Sequence, residues 1–199
     1  MNFPRTTVGG ISLPRMLIGC NWISGFSHRS AAGDTMIRKA HRDPASTAAI
    51  FQTFMNSGVD AVLGLFGVDA NLSKAVKMAE DATGKQMIIV DTLVLNMDDT
   101  AMARHEAELE IKASAARGAT FCLPLHSSVE QLINKNTETM DRLPDYLRMI
   151  RDAGMIPGLS AHMPEVIQYA DKNDYDVETY IQPYNCMGFM MQVEIESVS

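Results

Sequence analysis

Short apolar runs that close on polar residues recur along the chain at positions 13–20, 59–65, 86–94, 119–125, 155–160 and 177–183. They repeat about every 30 to 40 residues, the length of one strand–crossover unit. Between them lie stretches whose apolar residues fall at helical spacing. Strands alternating with helices in this way predict βαβ units and a parallel sheet. The polar residues at the ends of the runs, Asn21, Asp91, His126, Ser160, His162, Gln182 and Asn185, would then share one end of that sheet. In α/β proteins that end carries the ligands.

The helical stretches have recognisable ends. Residues 1–12 read as a polar lead-in with a Gly9-Gly10 turn, and a long loop follows the first run through positions 24–33. Loops of such length in compact domains are usually functional lids or disordered. After a weak helical stretch, Asp43 and Pro44 have the types expected at N-cap and N1, and that helix stops at Gly58. Further helices are predicted over 70–82 with Gly84 as its stop, 98–116 with Gly118, 139–153 with Gly154, and 164–172 with Pro164 at N1. Residues 189–199 read as the opening turns of a sixth helix. Six units average ~33 residues, close to the ~30 of an eight-unit barrel. The expected fold class is therefore α/β, a TIM (β/α)8-type barrel that is incomplete, with residues 1–199 forming one partial domain. Six parallel strands in chain order are expected, with a gap between the first and the last. The exposed edges predict self-association and poor stability of these residues alone. An open doubly wound sheet is the alternative, but no G-x-G-x-x-G follows a strand.

Composition narrows the function. A formal net charge of -7 argues against nucleic-acid and anionic-membrane surfaces. No apolar run approaches the ~20 residues that span a bilayer. Cys20, Cys122 and Cys186 have no disulfide-framework spacing, which suits reduced thiols in a cytoplasm. The 15 methionines read as adaptable core filler.

Chemistry is sought first among the run ends. His126 closes the fourth run, and a histidine there suits general acid–base work or metal ligation. His162 follows the fifth run and Asp91 interrupts an apolar one, where an unpaired carboxylate is costly. Structural roles compete in each case: a loop contact for His126, a helix-capping neighbour for His162, a hydrogen-bond anchor for Asp91. Asp91 and His126 lie 35 positions apart, and His126 and Ser160 lie 34 apart, so each pair is one unit out. Asn21, Asp91, His126, Ser160, His162 and Gln182 are expected in one pocket. A divalent metal on Asp91, His126 and His162 is the lesser cofactor alternative, since no local ligand motif supports it. None of the 7 lysines closes a run, which argues against a Schiff base. The loop around Ser27, His28, Arg29 and Ser30 suits contact with an anionic or hydroxyl-rich substrate, with Asn21, Trp22 and Asn185 as further substrate-binding candidates.

Gly158-Leu159-Ser160, Pro164-Glu165, Ala170, Ile181-Gln182-Pro183-Tyr184-Asn185 and the Pro124-Leu125-His126 triplet resemble the aldo-keto reductase barrel family over residues 119–199. The resemblance implies a (β/α)8 barrel, a nicotinamide cofactor (NAD or NADP), and a carboxamide held by Ser160 and Gln182. The family's catalytic tyrosine, aspartate and lysine have no counterparts here. All 5 tyrosines lie at position 146 or later. Three readings follow. One is hydride chemistry on a small polar carbonyl or hydroxy compound, with His126 or His162 as acid/base. Another is a lyase or isomerase working through Asp91, His126 and His162. The third is a barrel-like binding protein without catalysis.

Overall fold

The computed structural model describes residues 3–191. The chain is α/β, and all six predicted runs contribute a strand to one sheet. Those strands are β3 (Ile18–Gly19), β4 (Ala61–Gly64), β5 (Ile88–Leu93), β6 (Phe121–Pro124), β9 (Ile156–Ser160) and β10 (Thr179–Ile181). The order is β10-β9-β6-β5-β4-β3, so sheet order follows chain order, with β3 and β10 at the two ends. The pairs β3–β4, β4–β5, β6–β9 and β9–β10 are parallel. By contact density the chain divides into two compact units, Met1–Asp91 with Arg117–Ala119, and Thr92–Ala116 with Thr120–Ser199.

The first unit opens with a feature hidden in the polar lead-in. β1 (Arg5–Val8) and β2 (Ile11–Pro14) form an antiparallel hairpin with Val8 opposite Ile11. Gly9 and Gly10 both take positive φ, as a two-residue turn of this hand requires. The first apolar run is therefore split. Its beginning completes the hairpin, where Pro14 at a strand end costs no ladder hydrogen bond, and only Ile18–Gly19 joins the principal sheet. Two short helices, α1 (Asn21–Ser24) and α2 (Ala31–Ala40), occupy the region read as a long loop and a weak helix. α3 (Pro44–Asn56) starts where the sequence places it: Asp43 accepts the Ala45 N–H and Pro44 fills N1. α4 (Ala70–Thr83) is capped by Asp69 and ends on Gly84 in the left-handed region. Phe51 and Met55 of α3 and Leu72, Ala75, Val76 and Ala79 of α4 form the core with Ile18, Val62 and Phe66. Burying a large side chain of this kind stabilises by about 1.5–3 kcal/mol, which is how this unit holds strands only two to six residues long.

The second unit contains α5 (Ala101–Ala116), α6 (His126–Val129), a 3-10 turn (Glu130–Leu132), α7 (Leu143–Asp152) and α8 (Pro164–Lys172). α5 begins three residues later than the sequence suggests, because Thr100 accepts the Ala103 N–H and takes the capping role. α7 also starts late. Thr139–Met140 forms β8, which pairs with β7 (Ile133–Asn134), and the helix begins only beside Pro144. Its Leu143, Tyr146, Leu147 and Ile150 then present one buried stripe. Gly158 in β9 is required by proximity. A Cβ there would meet Leu123 Cγ and Thr179 Cγ2 at 2.8 Å and the Thr179 carbonyl oxygen at 2.9 Å. Residues 189–191 do not form the expected helix start, and the rest of that segment lies outside the described residues.

Candidate functional site

The second unit brings together four of the sequence-derived candidates and adds one. Leu125 N–H donates to the Leu93 carbonyl at 2.8 Å, fixing the chain as it leaves β6 and delivering His126 to the first position of α6. α6 packs on β9, whose last residue is the nearly buried Ser160. Two residues on, His162 lies with its ring stacked on that of His126, centroids 4.0 Å apart and planes 10° from parallel. The two histidines come from successive strand ends, as the shared phase of the repeat implies.

Glu130 organises this pair and was not singled out by the sequence. Its side chain is 1 % exposed. Oε1 accepts the backbone N–H of His162 at 2.5 Å and of Met163 at 2.9 Å. Oε2 lies 3.9 Å from His126 Nδ1, one helical turn back. Burying a carboxylate costs several kcal/mol, and two backbone donors beside the start of α8 offset that cost. The spacing His126-x-x-x-Glu130 is the signal that could have found it. It has meaning only on a helix, and this segment reads as a Ser127-Ser128 turn.

Gln182 follows β10, and its Nε2 donates to the His162 carbonyl at 3.4 Å. Ser160 pairs in register with Ile181, so Ser160 and Gln182 belong to adjacent strand ends. Asn185 is occupied locally, Oδ1 accepting from Met187 and Phe189 N–H and Nδ2 donating to the Phe189 carbonyl.

The remaining candidates belong to the first unit. Asp91 is fully buried. Its Oδ1 accepts the Phe66 N–H at 3.0 Å and its Oδ2 lies 3.1 Å from Arg117 Nη2. Both oxygens are thus engaged, which accounts for a carboxylate in an apolar strand. Asn21 and Trp22 open α1 and are exposed, as are Arg29 and His28, the latter at φ 56°. The loop around them is built on Asp34, which accepts from both the N–H and the hydroxyl of Ser27 at 2.8 and 2.5 Å. Those two bonds hold the Asp34 carboxyl below its usual range. Among the described residues no three His, Cys, Asp or Glu side chains are grouped to hold a metal ion.

The thiols divide sharply. Cys20 and Cys122 are buried and Cys186 is exposed, and none of the three forms a disulfide. Burial, with Asp69 adding its negative charge, pushes the Cys20 thiol up to about 12. It therefore stays protonated through the physiological range and is no nucleophile. An aromatic disulfide reagent at about pH 8, where an ordinary thiol is reactive, is expected to titrate one thiol in the native protein and three in denaturant. Fast native reaction of a Cys186→Ser variant would contradict this burial.

No protein-family model matches the sequence, and no curated protein matches it at a significant level.

Proposed function

We propose that the protein is an aldo-keto-reductase-like enzyme on a TIM (β/α)8-type barrel, acting on a small polar carbonyl or hydroxy, sugar-like compound. The observation that carries this reading is the stacked His126–His162 pair, anchored by a buried carboxylate. Six strands in chain order fit the first six units of such a barrel.

Reduction of a carbonyl needs a proton at the oxygen as a hydride reaches the carbon. An imidazole does this work near neutral pH. Ser160 and Gln182 fit the carboxamide of a nicotinamide, since a hydroxyl and an amide on adjacent strand ends offer the donors and acceptors that an amide needs. Nicotinamide, when bound, supplies the hydride. The chain's own residues orient it, hold the substrate oxygen and move the proton. A reducing compartment, the cytoplasm, fits three cysteines that form no disulfide. The sheet's end strands β3 and β10 are proposed as the edges through which copies self-associate.

A lyase or isomerase reaction is the second reading. It is favoured by the presence of two imidazoles in contact, because such reactions need an acid and a base together, whereas reduction needs only a donor.

Assays with reduced nicotinamides and small hydroxy aldehydes test the first reading by loss of nicotinamide absorbance. The same compounds followed by NMR without cofactor test the second. Turnover that His126→Ala slows by ~10²–10⁴ supports the assignment, and turnover that it leaves unchanged removes His126 from it. If neither assay shows reaction, the site is one of binding alone.

A further inference from the structure

We infer that Glu130 is the positioning residue that keeps a single proton on the His126–His162 pair and holds it on His126, so that an acid and a base stand side by side. The inference rests on the acid–base reading of this site and assigns its two members different roles.

The geometry carries the argument. Rings 4.0 Å apart and 10° from parallel cannot both be cations without strong repulsion at a site where His162 is nearly buried. The pair therefore takes up its second proton only at lower pH than its first. A fixed negative charge beside one ring draws the first proton to that ring. Glu130 Oε2 stands 3.9 Å from Nδ1 of His126. Glu130 Oε1 meets the main chain at His162 and Met163. One side chain thus fixes the backbone of one histidine and places its negative charge beside the ring of the other. The charged groups described on the elements packed here have contacts of their own. Glu165 at the start of α8 is 3.7 Å from Lys135, and Tyr180 of β10 donates to Asp171. Lys172 at the end of α8 pairs with Glu138. β9 carries no charged residue.

In this arrangement His126 is the acid and His162 the base. His126 gives its proton to a substrate oxygen and His162 takes one from a neighbouring carbon or hydroxyl, and exchange with solvent then unloads His162 and reloads His126. The pair begins and ends each cycle with one proton.

The test is an NMR titration of the histidine rings in the full chain. Glu130→Gln keeps an Oε1 acceptor for both N–H groups and removes only the charge. The wild-type pair is expected to protonate in two steps more than about one pH unit apart. Glu130→Gln should lower the upper step by about one unit while leaving the fold intact. His162→Phe, which keeps a stacked ring, should leave His126 titrating once, above the ordinary histidine value. The inference is overturned if the two histidines titrate together in the wild type, or if Glu130→Gln moves neither step. Should Glu130→Gln fail to fold, His162→Phe decides: a His126 midpoint at or below the ordinary value refutes the role of Glu130. No substrate enters these measurements. A split titration without turnover therefore refutes only the enzymatic reading, and turnover without a split refutes only the role of Glu130.

Discussion

Replacing Arg117 by alanine is expected to remove about 3 kcal/mol of folding stability, the lower end of what breaking a buried ion pair costs. Asp91 is fully buried, with one oxygen held by Phe66 N–H and the other facing the Arg117 guanidinium at 3.1 Å. Without the arginine, a carboxylate stays in the interior with a neutral donor in place of a charge. Arg117 is 22 % exposed, so water reaches part of the vacated site and the full penalty of a sealed pair is not incurred. Against a total stability of about 5–15 kcal/mol, such a loss is readily measured by urea unfolding. The companion variant Asp91→Leu with Arg117→Met should recover most of the loss, because replacing both charges by apolar groups of similar size is often neutral. An Arg117→Ala midpoint equal to the wild type would show that the pair contributes nothing.

That pair also marks a limit of the sequence. Asp91 stands out as an anomaly in Ile88-Ile89-Val90-Asp91, yet nothing local names its partner. Arg117, 26 positions on, reads simply as the tail of a helix. The strands themselves were legible because each is a compact, mostly apolar run too short for a helix, set between helical stretches. The helix ends were legible where chemistry is local: Asp43 with Pro44, Gly84 after α4, Pro164 at the start of α8. What escaped were pairings too short to leave a period. The two-residue strands β7 and β8 carry no alternation, and the hairpin at the start of the chain is held by its glycine turn rather than by an apolar face. Asp98 stays outside the helix predicted to begin there, because Thr100 takes the Ala103 N–H and opens it.

The site follows the same division. His126 and His162 were legible from their phase in the repeat, since successive units deliver equivalent strand ends to neighbouring places. The stacking of their rings was not, because it depends on the turn of α6 that carries His126 over β9. Glu130 stayed invisible for the same reason: a carboxylate four residues after a histidine means something on a helix and nothing in a turn. Asn185 shows the opposite error of emphasis. It sits near a strand end, as a site residue should, while its amide is taken up by its own turn.

The largest effect on turnover is expected from the histidine pair taken as a unit. His126→Ala and His162→Ala should each slow the reaction by ~10²–10⁴, the usual contribution of a positioned acid or base. The double variant should be no slower than the worse single one, within about a factor of 3, because groups that act on one proton are lost together. The physical reason is that the two rings serve one proton transfer: without the acid at 126 the substrate oxygen stays unprotonated as the base at 162 acts, and without the base no proton leaves the neighbouring carbon or hydroxyl. Stability gives the control. The His126 side chain is only 21 % exposed and stacks on His162, so its truncation is expected to cost about 1–3 kcal/mol in urea unfolding, and turnover is compared under conditions where the variant stays folded. Multiplicative losses in the double variant would mean that the two rings act in separate steps on separate atoms. Unchanged turnover in both single variants would place the chemistry elsewhere and leave the stacked pair as packing between α6 and the loop that leads into α8.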